Sequence, residues 1–171
     1  MINILRNLSL LLVLSVLIFI NSCIDSTTSD RTQEEELVEL NQLIANLESQ
    51  GIDVDTTDTG VYYIIHEPGS GPFIAPYDTI TIGYEAYLTN GMLFDTSEDR
   101  YEDGEWEFVY LQQTLVQGLN DGLAIMKKGS EFEFIIPSRL AYGDFGQPPL
   151  IGPYESLIIG VKVYDIKPVV E

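Results

Sequence analysis

Cysteine, histidine and tryptophan each occur once in this 171-residue chain, and eight Lys and Arg stand against 27 Asp and Glu. Each scarcity excludes a class of function. A single cysteine cannot form an internal disulfide, and with one histidine there is no His/Cys spacing for a metal site. The formal net charge of −19 opposes binding to nucleic acid, whose phosphates require clustered Lys and Arg. Walker-type loops, dinucleotide-binding glycine patterns and Ser-His-Asp sets are absent from the sequence. His66 stands beside Glu67 near the end of an apolar run and reads as a solvated strand-end residue. No metal and no cofactor is expected.

Long apolar runs are equally scarce. The one such run, Leu8 to Ile20 after Arg6, is too short to span a bilayer core of ~30 Å comfortably but suits a signal peptide. It ends at Ile20-Asn21-Ser22-Cys23. This resembles the lipobox of bacterial lipoproteins, which implies cleavage before Cys23 and lipidation of its thiol. The alternative is an ordinary signal peptide with an incidental cysteine. The expected organisation is a signal peptide over 1–22 and a lipidated flexible tether over 23–33. An amphipathic helix with an acidic linker fills 34–59, and one domain fills 60–171.

Thr32 and Glu35 fit a capping box, and Gly51 fits a helix stop. Between them Leu37, Leu40, Leu43, Ile44 and Leu47 recur at helical spacing. That stripe requires a surface, either the domain or a second copy. A partner-binding helix is the functional alternative. Ile52–Thr59 reads as a solvated acidic linker.

Within the domain, Val61–Ile65, Asp78–Leu88, Trp106–Tyr110, Glu131–Ile136 and Leu157–Ile166 read as strands. Ile80, Ile82, Tyr84 and Ala86 share one face. Pro68-Gly69-Ser70-Gly71-Pro72 reads as a turn, and Asn90-Gly91 as a hairpin. Glu98 to Glu105 is expected to be an exposed acidic flap. One short helix is predicted near Val116–Lys127, with Lys127 and Lys128 at its negative end and Gly129 stopping it. Gly118 and Gly122 lie four apart, for close approach to a sheet. One helix among five or six mainly antiparallel strands gives an α+β fold.

A glycine- and proline-rich loop, Gly143 to Pro153, separates the last two strands and carries Phe145, Leu150 and Ile151, with Tyr142 just before it. Apolar groups held in such a loop either wall a binding site or cover the core. The order Gly83-Tyr84-Glu85-Ala86-Tyr87, Leu93-Phe94-Asp95, Trp106, Val116-Gln117-Gly118-Leu119 and Ala141-Tyr142-Gly143 resembles the FKBP-type peptidyl-prolyl cis-trans isomerases. The lipobox adds a resemblance to their membrane-lipoprotein subgroup, including gliding-associated isomerases.

The resemblance implies a sheet half-wrapped around the helix and a proline pocket. Tyr84, Phe94, Trp106, Leu115, Leu119, Ile151 and Ile159 would line that pocket, with Leu119 as its floor. The Val116 N–H and the Tyr142 hydroxyl would bond substrate carbonyls, and Asp95 would stand by the twisting amide. Asp95 would otherwise cap the following turn, and each aromatic would otherwise be core. Leu119, Ile159 and Gln147 depart from the tryptophan, phenylalanine and histidine common in the family, which argues against tight binding of macrolide drugs. The implied partners are proline-containing polypeptides and, through Cys23, a membrane. The implied place is the periplasmic side of an outer membrane. A non-catalytic proline-binding chaperone or assembly lipoprotein is the alternative. Asp99, Glu102, Asp103, Glu105, Glu107, Asp144 and Glu155 are expected to give the pocket a negative rim.

Overall fold

The computed structural model describes residues 31–169. The expected signal peptide, lipobox and most of the tether lie outside the described residues. A seven-stranded antiparallel sheet organises the rest: β1 (Asp55–Thr56), β2 (Tyr62–Phe73), β3 (Thr79–Leu88), β4 (Leu93–Thr96), β5 (Trp106–Val109), β6 (Lys127–Ile136) and β7 (Leu157–Lys167). The order is β1-β2-β6-β7-β3-β4, with β5 also on β3. Among the described residues three α-helices accompany it: α1 (Gln33–Ser49), α2 (Ser97–Arg100) and α3 (Gln117–Leu123). Among the described residues no helix is long and apolar enough to cross a membrane.

Strand alternation splits the apolar residues between two faces. Ile80, Ile82, Ala86, Phe132, Phe134, Ile136, Ile159, Val161 and Val163 pack with Leu119 and Leu123 of α3 in the larger core. Gly118 and Gly122 permit this approach: an added Cβ would meet Ile136 Cγ2 at 2.3 Å and the Phe134 ring at 2.8 Å. Their shared face therefore does what the sequence indicated, at a cost in helix propensity of ~1 kcal/mol each.

On the opposite face Leu40, Leu43 and Leu47 of α1 cover Ile64, Ile135 and Ile158. The apolar stripe is thus used on the chain's own sheet, although Leu37 is half exposed. The capping box forms as its sequence predicts, with Thr32 and Glu35 bonding each other's backbone N–H. Gly51 follows the helix at φ +80°.

Several expectations are corrected. The helix α3 ends at Leu123, and Lys127 and Lys128 open β6 instead of closing the helix. The Pro68–Pro72 stretch does not reverse the chain. Gly69 and Gly71 take positive φ inside β2, and the ladder with β6 absorbs the irregularity as register shifts. His66 consequently lies within a strand, its side chain 20% exposed and its Nε2 3.8 Å from Glu133. The acidic linker is partly structured: β1 pairs with β2, and Ile52 and Val54 pack under α1. Arg31, assigned to the flexible tether, is ion-paired with Glu39 and Glu155.

Candidate active site

The helix α3 covers only part of its face of the sheet. Beside it lies a cleft of about 520 Å³ lined by Tyr84, Phe94, Trp106, Leu115, Leu119 and Ile159, among others. Asp95, Val116, Tyr142 and Ile151 line it too, so every pocket residue expected from the sequence reaches one cavity.

Backbone geometry explains the convergence. Tyr84 and Ala86 on β3, and Ile159 on β7, face the cavity because alternate residues share a face. The register pairs Ala86 with both Ile159 and Asp95, bringing three strands together at this point. The hairpin at Asn90-Gly91 folds β4 onto β3. Trp106 pairs with Ile82 at the other end of β3. Its ring meets Tyr84 edge-on at 5.8 Å, stacks on Tyr101 at 5.5 Å and packs on Phe108 at 4.2 Å. An aromatic wall fixed by three neighbours is rigid without being part of the closed core.

The polar groups are few. Tyr84 donates its hydroxyl to Asp95 Oδ2 at 3.3 Å, and Arg100 Nε donates to Oδ1 at 2.5 Å. Asp95 is therefore held from both sides, and capping of α2 falls to Thr96, whose hydroxyl accepts the Glu98 N–H. Burial, with the Asp95 charge second, pushes the Tyr84 and Tyr142 phenols above their ordinary range. Both remain hydroxyl donors at neutral pH. The Tyr142 hydroxyl makes no hydrogen bond among the described residues. Val116 precedes α3 with φ −61° and ψ 145°. Its carbonyl accepts from Leu119 and Asn120, while its own N–H has no partner among the described residues. Donors flanking an apolar floor suit a ligand rich in carbonyls.

The loop closes the last side. Gln147 and Ile151 exchange backbone hydrogen bonds at 2.8 and 3.0 Å across Pro148, Pro149 and Leu150. Gly146 sits at φ +62°, and a Cβ there would meet the carbonyls of Ile151 and Gly152 at 2.4 Å. Ile151 is buried at the wall, whereas Phe145 is 82% exposed and stands outside the lining.

Sequence reasoning missed Arg100 and Tyr101, which line the cleft. They belong to the stretch read as an acidic flap, and the turn of α2 carries them back. None of the seven acids expected at a negative rim is among the residues lining the cleft. Asp103 lines a separate hollow on the opposite face, Glu107 pairs with Lys167, and Glu155 pairs with Arg31. Asp95 and Arg100 are the charged residues lining the cleft. Among the described residues no cluster of His, Cys, Asp or Glu is arranged to hold a metal ion.

Comparison with known proteins agrees with this geometry. The family model for FKBP-type peptidyl-prolyl cis-trans isomerase matches residues 71–164, over half of the chain. The chain is 34% identical over 125 residues to the peptidyl-prolyl cis-trans isomerase Mip of Coxiella burnetii, covering 73% of this chain and 52% of that one. It is 34% identical over 115 residues to FkpA of Escherichia coli, covering 67% of this chain and 41% of that one. It thus spans about half the length of the curated relatives it matches. The crystal structure of Escherichia coli FkpA superposes with a TM-score of 0.64 at 29% identity, covering 80% of this chain and 62% of that chain. An isomerase structure from Pseudomonas syringae reaches 0.67 at 22% identity, covering 82% and 99%, and supports the fold. The architecture, the cleft and the sequence match lead to one assignment: the chain belongs to the FKBP-type peptidyl-prolyl cis-trans isomerase family.

Proposed function

We propose that this protein is a peptidyl-prolyl cis-trans isomerase acting on proline-containing segments of envelope or secreted proteins. The observation that carries the reading is one cleft lined by Val116, Leu119 and Tyr142, in which the Val116 N–H and the Tyr142 hydroxyl lack protein partners among the described residues. Rotation of a prolyl amide breaks its resonance, against a barrier of ~18–20 kcal/mol. No proton need move and no nucleophile is required. A twisted amide carbonyl is less polarised than a planar one, so a dry cavity favours it over the ground state. Each ~1.4 kcal/mol of that preference speeds rotation tenfold. Val116, Tyr142 and the Asp95–Tyr84–Arg100 group would hold the flanking carbonyls while the aromatic wall excludes water.

A protease-coupled assay on prolyl peptides tests this. Parent protein should accelerate isomerisation, and Asp95→Ala and Tyr142→Phe should each lower kcat/KM about tenfold, the loss expected for ~1.4 kcal/mol of transition-state binding. The rate should be nearly flat from about pH 6 to 8, because His66 is not among the cleft's lining residues. Unchanged rates in both variants, or a steep bell near neutrality, would refute the assignment. If the parent binds prolyl peptides without accelerating them, the protein is a proline-binding chaperone; Leu119 and Ile159 at the floor and wall give that second reading its support.

The same proposal includes a lipid anchor at Cys23, a resemblance to the lipoprotein subgroup and its gliding-associated members, and a place on the periplasmic side of the outer membrane. Ile20-Asn21-Ser22-Cys23 supports it, and several acyl chains would hold the protein firmly at ~0.8 kcal/mol per buried methylene. Cys23→Ser should abolish fatty-acid labelling and release the protein from membranes on fractionation.

A further inference from the structure

The loop that walls the cleft hangs between two buried serines. Ser138 precedes it and Ser156 follows it; they are 2% and 1% exposed. Both direct their donors to one carboxylate, Glu36 on α1. Ser138 N–H and the Ser156 hydroxyl donate to Glu36 Oε1, and the Ser138 hydroxyl donates to Oε2, each at 2.6 Å. Glu36 is itself only 3% exposed. A buried carboxylate is costly unless its oxygens are bonded, and short charge-assisted bonds supply that compensation. Leu40, Leu43 and Leu47 give α1 an apolar contact with the sheet, and the Glu36 bonds add a polar tie aimed at the two loop stems.

The tie continues toward the cleft. The Ser138 carbonyl accepts the N–H groups of Ala141 at 2.8 Å and Gly143 at 2.9 Å, the two residues that flank Tyr142. The Gly143 carbonyl accepts from Tyr154 N–H at 2.8 Å, crossing the loop. At the far stem Glu155 takes Arg31, which precedes α1, and the Thr89 hydroxyl at 3.1 Å. A helix upstream of the matched family region thus holds both stems of the segment carrying Tyr142 and Ile151.

We infer that Glu36 is a positioning residue for the cleft: through its carboxylate, α1 sets the conformation of the loop wall. The catalytic consequence rests on the isomerase reading above. Loss of the tie leaves the Leu119 floor and the β3 wall in place and frees the loop wall, so substrate capture should weaken more than turnover.

Amide hydrogen exchange over 140–152, with kcat and KM on a prolyl peptide, tests the inference in Glu36→Ala, Glu36→Gln and Val163→Ala. Glu36→Ala should accelerate loop exchange about tenfold while most strand amides stay protected. KM should rise about threefold with kcat within about twofold of parent. Glu36→Gln should recover most of the protection, since its oxygen still accepts and a serine hydroxyl can accept from its amide. Val163→Ala lowers overall stability at a core position remote from the tie and should leave the loop protected. Should Glu36→Ala fail to fold, Ser156→Ala removes one donor and should loosen the same amides to a lesser degree. Loop exchange within about twofold of parent, a Gln variant as loose as Ala, or the same local loosening in Val163→Ala would each overturn the inference. Exchange is read without catalysis, so a parent inactive on peptides refutes the isomerase reading while the positioning role is still decided by the loop amides.

Discussion

The two faces of the sheet are covered by helices of different length, and that difference makes one face a site and the other a support. The helix α3 has seven residues and hides only part of its face, so the aromatic and aliphatic side chains beyond its ends border an open cleft. On the other face α1 has 17 residues and seals Ile64, Ile135 and Ile158. Where α1 stops covering, the same face carries half-buried His66 and buried Glu133. An apolar pocket needs no special residues beyond those of a core; it needs a cover too short to close it.

If this contrast is right, the α3 face should carry more of the stability. Phe134 is fully buried against α3, and Phe134→Ala should cost about 3–5 kcal/mol in denaturant unfolding. Leu47 is fully buried under α1, and Leu47→Ala should cost less, about 2–3 kcal/mol. A larger loss at Leu47 than at Phe134 would invert the comparison. Gly122→Ala adds helix propensity but drives a Cβ to within 2.8 Å of the Phe134 ring. The clash should outweigh the gain, for a net loss of about 1–2 kcal/mol, whereas increased stability would show that α3 can move off the sheet.

The smallest expected effect lies on the opposite face. The Glu133 carboxylate holds His66 above its ordinary pKa of 6.5, against the opposing effect of burial. The folded state therefore favours the protonated ring. Its contribution is present in full below the ordinary imidazole pKa and is lost as pH rises through the raised folded value. Unfolding of parent and His66→Gln should differ more at about pH 5.5 than at about pH 8.5. A difference independent of pH would show that the pair does not couple to folding.

The legibility of each element followed the range of the interactions behind it. The capping box of α1 and the Asn90-Gly91 hairpin depend on neighbours a few residues apart, and both formed where the sequence placed them. The end of α3 was misread because Lys127 and Lys128 suit a helix terminus by charge, while pairing of β6 with β2 and β7 decides their conformation. Pro68–Pro72 carries turn chemistry, yet two flanking stretches already paired with β6 absorb it as bulges. Arg100 is the exception: its contact with Asp95 spans only five residues, but the acids around it masked the turn of α2 that makes it.

The sequence by itself determined the absence of metal-ligand and disulfide patterns, the alternation that sorts side chains to two faces, and the set of residues able to line a cleft. Those are properties of residue type and short spacing. Tertiary structure alone decided that Arg100 and Tyr101 border the cleft, that no acid of the flap lines it, and that Glu36 gathers Ser138 and Ser156. The last contacts span 102 and 120 residues, and no local propensity encodes a carboxylate's partners at that distance. They are selected only when burial on folding makes an unbonded carboxylate too costly to leave alone.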